Sequence, residues 1–97
     1  MFIVRDIFYL EFGQFRSVKE LLEEYEEKHL PDIPGSRILT DFTGDSYRLI
    51  MEQPFASLEA YEKALQEELG TPEWQEWYVK FKRFVKSSHR EILRQIK

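Results

Sequence analysis

The order of patterns along the chain (strand, helix, two strands, an interrupted helix, strand) predicts an α+β domain on a four-stranded antiparallel sheet. Three observations carry this reading. The opening run "FIVRDIFYLEF" is apolar at both alternating parities. Three amphipathic stripes at helical spacing each follow a capping signal. Proline and glycine sit between these runs and not within them.

The first run, Phe2 to Phe12, sets Val4, Phe8, Leu10 and Phe12 on one parity and Ile3, Ile7 and Tyr9 on the other. Apolar side chains on both faces mark a strand covered on both sides. Ser17 and Glu20 have the spacing of a capping box, with Ser17 as N-cap. Val18, Leu21, Leu22, Tyr25 and His29 then fall on one helical face, opposite a run of glutamates, until "LPDIPG" ends the helix. Strands are expected at about 37–43 and 47–53, joined through Gly44-Asp45-Ser46 and closed by Pro54.

Ser57 caps a helix with the stripe Leu58, Tyr61, Leu65 and Leu69, and Gly70 occupies its stop position. Thr71 and Pro72 restart a helix at once, as N-cap and first helical residue. This helix is expected to run to about Lys86, with Trp74, Trp77, Tyr78, Phe81, Phe84 and Val85 on one face. The tail "SSHREILRQIK" reads as the last strand. Two βαβ-type halves around a central hairpin make the ferredoxin-like βαββαβ arrangement, with helices on one face of the sheet. The first strand is apolar on both faces, so the uncovered face calls for a partner, and a twofold sheet-to-sheet homodimer is the simplest one.

The 97 residues suit a single domain, and 42% hydrophobic with 15% aromatic content supplies its core. The absence of cysteine removes disulfides, thiolate chemistry and Cys-based zinc sites. With only two histidines, no metal site is expected. A net charge of −4 argues against nucleic acid, although residues 80–97 are locally basic. Arg5, Asp6 and Glu11 interrupt the apolar start, so neither a signal peptide nor a membrane span is expected, and a cytoplasmic location is. Nucleophile-elbow and phosphate-loop patterns are missing.

The segments "LLEEYEEKHLP" and "SLEAYEKALQEELGTPEWQEW" resemble the NIPSNAP-like branch of the dimeric α/β-barrel superfamily. The resemblance spans roughly Ile3 to Leu93 and implies the fold and the dimer more than an activity. The same superfamily includes cofactor-independent monooxygenases acting on aromatic polyketides, and haem-degrading monooxygenases. Such enzymes typically use an asparagine with a tryptophan and a histidine or arginine. This chain has Trp74, Trp77, His29 and His89 but no asparagine.

Several side chains are candidates for a ligand site between sheet and helices. His29 is either a general base, a haem ligand or a partner for the helix dipole. Tyr9, Arg5, Trp77, Tyr78 and Phe81 are candidate ligand contacts. Arg5 has a plainer alternative, since Arg5 or Arg48 can pair with Asp41 or Glu52 on a neighbouring strand. The aromatic face of residues 71–84 is either core or the wall of an apolar cleft. The functional expectation is a homodimer that binds a small apolar or aromatic ligand without a cofactor. A monooxygenase-like enzyme and a pure interaction module with a filled core are the alternatives.

Overall fold

The computed structural model describes residues 1–28, 34–44 and 47–97, with the side chains of 26–28 left out. The elements run β1 (Phe2–Leu10), α1 (Phe15–Lys28), β2 (Arg37–Thr40), β3 (Arg48–Phe55), α2 (Leu58–Leu69), α3 (Pro72–Phe81) and β4 (Val85–Arg94). A short 3-10 turn, Lys82–Phe84, joins α3 to β4. The sheet is antiparallel throughout, in the order β2-β3-β1-β4. This is the ferredoxin-like arrangement, with three helices on one face.

The even-numbered residues of β1 face the helices. Val4 and Leu10 are buried there, and Leu10 packs with Val18 and Leu22 of α1, Leu49 of β3 and Phe81 of α3. The odd-numbered residues Ile3, Arg5, Ile7 and Tyr9 face the open side. The doubly apolar pattern of β1 therefore corresponds to one face under helices and one face with no helix over it among the described residues, although Ile7 on that face is itself buried among its strand neighbours.

Several boundaries differ from those the sequence predicts. α1 begins at Phe15, not after Ser17, because Phe15 packs against the core and the Val18 amide bonds to the Gln14 carbonyl at 3.1 Å. Gly13, at φ +77°, makes the turn before it, so Ser17 lies inside the helix and forms no cap. β3 continues through Pro54 to Phe55. Pro54 sits beyond the reach of β2, where β3 has only one neighbour and the ladder tolerates a missing donor. β2 is correspondingly shorter than expected, and Asp45 and Ser46 of the expected turn lie outside the described residues.

α3 stops at Phe81, five residues before the expected end. The Phe84 carbonyl accepts from the Glu11 amide at 2.7 Å, and Val85 pairs with Leu10, so the sheet captures this segment. A register shift between Tyr9 and Leu10 accommodates it. The other helix signals hold. Ser57 caps α2 by accepting from the Ala60 amide at 3.1 Å. The Thr71 hydroxyl donates to the Glu68 carbonyl at 2.9 Å and accepts from the Trp74 amide at 3.3 Å, closing α2 and opening α3 with one side chain. Among the described residues, no helix is long and apolar enough to cross a membrane.

Candidate functional site

The aromatic face of α3 divides in two. Phe81 is 1% exposed and anchors the core, with Phe8 edge-on to it at 4.9 Å and Trp77 stacked on it at 4.8 Å. Tyr25 of α1 lies against Trp77, tilted by 37° with ring centroids 5.0 Å apart. The Trp77 indole N–H donates to the Leu21 carbonyl at 3.0 Å, so its one polar group already serves to dock α1 on α3. Trp74 and Tyr78 stack on each other at 4.8 Å, further out, and Tyr78 is 40% exposed.

Beside Phe81, between the end of α3 and the start of β4, lies a partly open cleft of about 160 Å³. Phe8, Tyr78, Phe81 and Val85 give it apolar walls, and Lys82, Ser87 and Ser88 give it a polar edge. The geometry follows from the early end of α3. Had the helix run to Lys86, Phe84 and Val85 would have prolonged the aromatic face. The 3-10 turn instead carries the chain away from α3 and sets β4 beside it. Lys82 and Ser88, the latter opposite Phe8 on the helix face, are donors at the rim of an aromatic pocket and suit a ring that bears an acceptor or an anionic group.

Of the candidate residues, the cleft gathers Tyr78 and Phe81. Trp77 backs Phe81 without lining the cleft. Arg5 and Tyr9 lie on the opposite face of the sheet, because they share the odd parity of β1. His29 lies outside the described residues. Phe8, Lys82, Val85, Ser87 and Ser88 were not expected at this site. Ser88 faces the helices because the register shift between Tyr9 and Leu10 sets it opposite Phe8; plain alternation from Val85 would have turned Ser87 inward instead, so neither the expected helix end at Lys86 nor the strand pattern reveals it.

A second polar group lies on the helix face. Arg90 of β4 donates to Asp6 of β1, its register partner, and its guanidinium stands 5.8 Å from the Tyr61 ring centroid. The Tyr61 hydroxyl is buried and has no hydrogen-bond partner among the described residues. Burial and the nearby Asp6 charge push the Glu68 carboxyl above its ordinary value, against the pull of Arg90. Burial likewise raises the Tyr61 hydroxyl.

On the open face, register places Arg37, Glu52, Arg5 and Glu91 in one row across all four strands. Arg5 Nε donates to Glu52 at 2.7 Å, and Arg37 binds the other carboxylate oxygen. Arg5 also approaches Glu91 at 3.6 Å, and His89 lies 3.7 Å from Glu91. Glu52 is only 3% exposed, although among the described residues no helix lies over this face. Burial opposes its charge, but the bonds from Arg37 and Arg5 prevail and hold its carboxyl below the usual range. Two rows away on the same face, Arg48 grips Asp41 through Nε at 3.0 Å and Nη2 at 2.8 Å. The plainer alternative for Arg5 and Arg48, pairing with neighbouring strands, is present in both. Among the described residues, no group of His, Asp and Glu is arranged to hold a metal.

No match was found among curated proteins. Among solved structures, the chain is similar to a NIPSNAP family protein from Agrobacterium tumefaciens, with a TM-score of 0.88 at 17% identity, covering 97% of this chain and 84% of the other. It is similar to an uncharacterized NIPSNAP-like domain protein from Burkholderia xenovorans, with a TM-score of 0.89 at 17% identity, covering 98% and 84%. A putative antibiotic biosynthesis monooxygenase from Nitrosomonas europaea aligns over 100% of both chains, with a TM-score of 0.73 at 13% identity. Likenesses at such identities establish the fold alone. Residues 13–97 match the NIPSNAP family model, which covers most of the sequence, and the chain belongs to that family.

Proposed function

We propose that this NIPSNAP-family chain works in the cytoplasm as a homodimer joined through the open face of its sheet, each copy binding one small aromatic molecule. The cleft beside Phe81 carries the ligand reading. Its volume of about 160 Å³ compares with an apolar cavity of roughly 150 Å³ that holds benzene in another protein. It falls below the roughly 300–1,000 Å³ of pockets for drug-sized ligands. A single ring suits it, and haem does not fit. Lys82 and Ser88 at the rim favour a ring with a carboxylate or another acceptor over a plain hydrocarbon.

The dimer reading is supported by the open face, where Leu39 is 40% and Leu93 39% exposed beside the half-buried Ile3 and Ile50. The monooxygenase reading has less support, because Trp77, which it would use, has its N–H committed to Leu21. Calorimetric titration with benzoate, indole and benzyl alcohol tests the ligand reading. Saturable binding of at least one ring is expected, weakened about tenfold by Tyr78→Ala with the fold intact. Lys82→Ala should weaken benzoate selectively. No saturable binding by any of the three, or binding indifferent to Tyr78→Ala, would sink the reading.

A further inference from the structure

We propose that the charged row on the open face sets the orientation of the dimer: the twofold axis runs along the strands, between β3 and β1, so that Arg37 meets the partner's Glu91. This inference rests on the sheet-to-sheet dimer proposed above and adds its register and its ion pairs. Read from edge to edge, the row alternates in sign: Arg37 on β2, Glu52 on β3, Arg5 on β1, Glu91 on β4. A twofold axis along the strands reverses this order in the facing copy while keeping the row level with itself. Arg37 then lies over the partner's Glu91, and Glu52 over the partner's Arg5. Every position meets the opposite charge. The neighbouring row is reversed in the same way and brings Ile50 over the partner's Ile7, an apolar contact at the centre of the face.

The other in-plane choice sets the axis across the strands. An axis on the charged row itself stacks each charge on its own copy, which is repulsive at four positions. An axis on the adjacent Ile7 row brings Arg37 over the partner's Asp41 and Glu52 over the partner's Arg48. Those two groups are already closed on each other by three hydrogen bonds within their own chain. They gain little from a second partner. The ends of the charged row, by contrast, are its accessible members: the side chains of Arg37 and Glu91 are 65% and 37% exposed, against 4% for Glu52. Facing charges of this kind select orientation and suppress wrong registers more than they add affinity.

Mixing two complementary variants tests the register. In an Arg37→Glu homodimer both edge contacts set Glu against Glu91, and in a Glu91→Arg homodimer both set Arg against Arg37. A heterodimer of the two restores both contacts, while the repulsion each substitution creates inside its own chain is unchanged. Each variant alone is expected to dimerise at least tenfold more weakly than the wild type by analytical ultracentrifugation. Native mass spectrometry of the mixture should show heterodimer well above the binomial half. Because the chain has no cysteine, a second readout avoids charge reversal: oxidising mixed Arg37→Cys and Glu91→Cys proteins should link unlike chains, while either alone stays unlinked. Binomial mixing or disulfides within the pure variants, in a protein that still dimerises, overturns the register alone. A wild type that remains monomeric at micromolar concentration overturns the dimer reading beneath it.

Discussion

At single positions, backbone conformation decides which residues are required. Gly70 follows α2 as a sequence reading expects of a stop, yet its φ of −82° is right-handed and an added Cβ meets only ordinary contacts at 3.5 Å and beyond. Gly70→Ala is therefore expected to be neutral or to stabilise by up to about 1 kcal/mol, through a less flexible unfolded chain. Gly35 is the converse case, at φ +84° with Pro54 Cγ 3.0 Å from an added Cβ. Gly35→Ala should lower the urea midpoint, and equal midpoints for the two variants would contradict this account. Glu52 is required for a different reason. Glu52→Gln removes the charge that two guanidiniums share and should cost about 1–3 kcal/mol, toward the lower end because Arg37 is mostly solvated.

Among the elements, the junction of α2 and α3 shows how much one side chain settles. Thr71 closes one helix and opens the next, so Thr71→Ala should cost about 1–2 kcal/mol in chemical denaturation. Thr71→Ser should recover most of the loss, and a Thr71→Ala variant as stable as the wild type would show the cap to be idle. This junction was legible because Thr-Pro after Gly is a purely local signal. α1 was mis-started for the opposite reason. The capping box at Ser17 is a good local signal, but Phe15 gains more by packing into the core than Ser17 gains by capping. The end of α3 was missed on the same principle. Helical periodicity continues through Phe84 and Val85, and the bond from Glu11 together with the pairing of Val85 with Leu10, far away in sequence, pulls them into turn and strand. The cleft follows from those sheet contacts, so the aromatic walls were readable while the serines and Lys82 at its edge were not. The open-face row was half legible: strand neighbours for Arg5 and Arg48 were expected, whereas its span across four strands needed the register.

For the whole molecule, two carboxylates link stability to pH in opposite directions. Glu52 has a folded-state pKa below its ordinary value near 4.5, held there by Arg37 and Arg5 against the effect of burial. Its contribution is complete above 4.5 and is lost as pH falls through the lowered value. Glu68 has a raised pKa, chiefly from burial. It favours the folded state when protonated, and stability declines as pH rises from about 4.5 through that raised value. Glu68→Gln is accordingly expected to raise the melting temperature at pH 7 and to leave it unchanged well below pH 4.5. Glu52→Gln should lose its penalty in acid. Scanning calorimetry of the two variants across this range checks both signs, and a Glu68→Gln protein less stable than the wild type at pH 7 would refute the second.

The indole of Trp77 joins residues 56 apart in sequence by bonding to Leu21 of α1. In optical terms this makes it a gauge of whether α1 is seated. Trp74, the other of the two tryptophans, stacks on Tyr78 and makes no such bond to α1 among the described residues. In a Trp74→Phe protein, departure of α1 should wet Trp77 and shift its emission to the red. In a Trp77→Phe protein, Trp74 should barely respond until the sheet itself unfolds. Stopped-flow traces of these two proteins would time the arrival of α1 against closure of the sheet, without any added label.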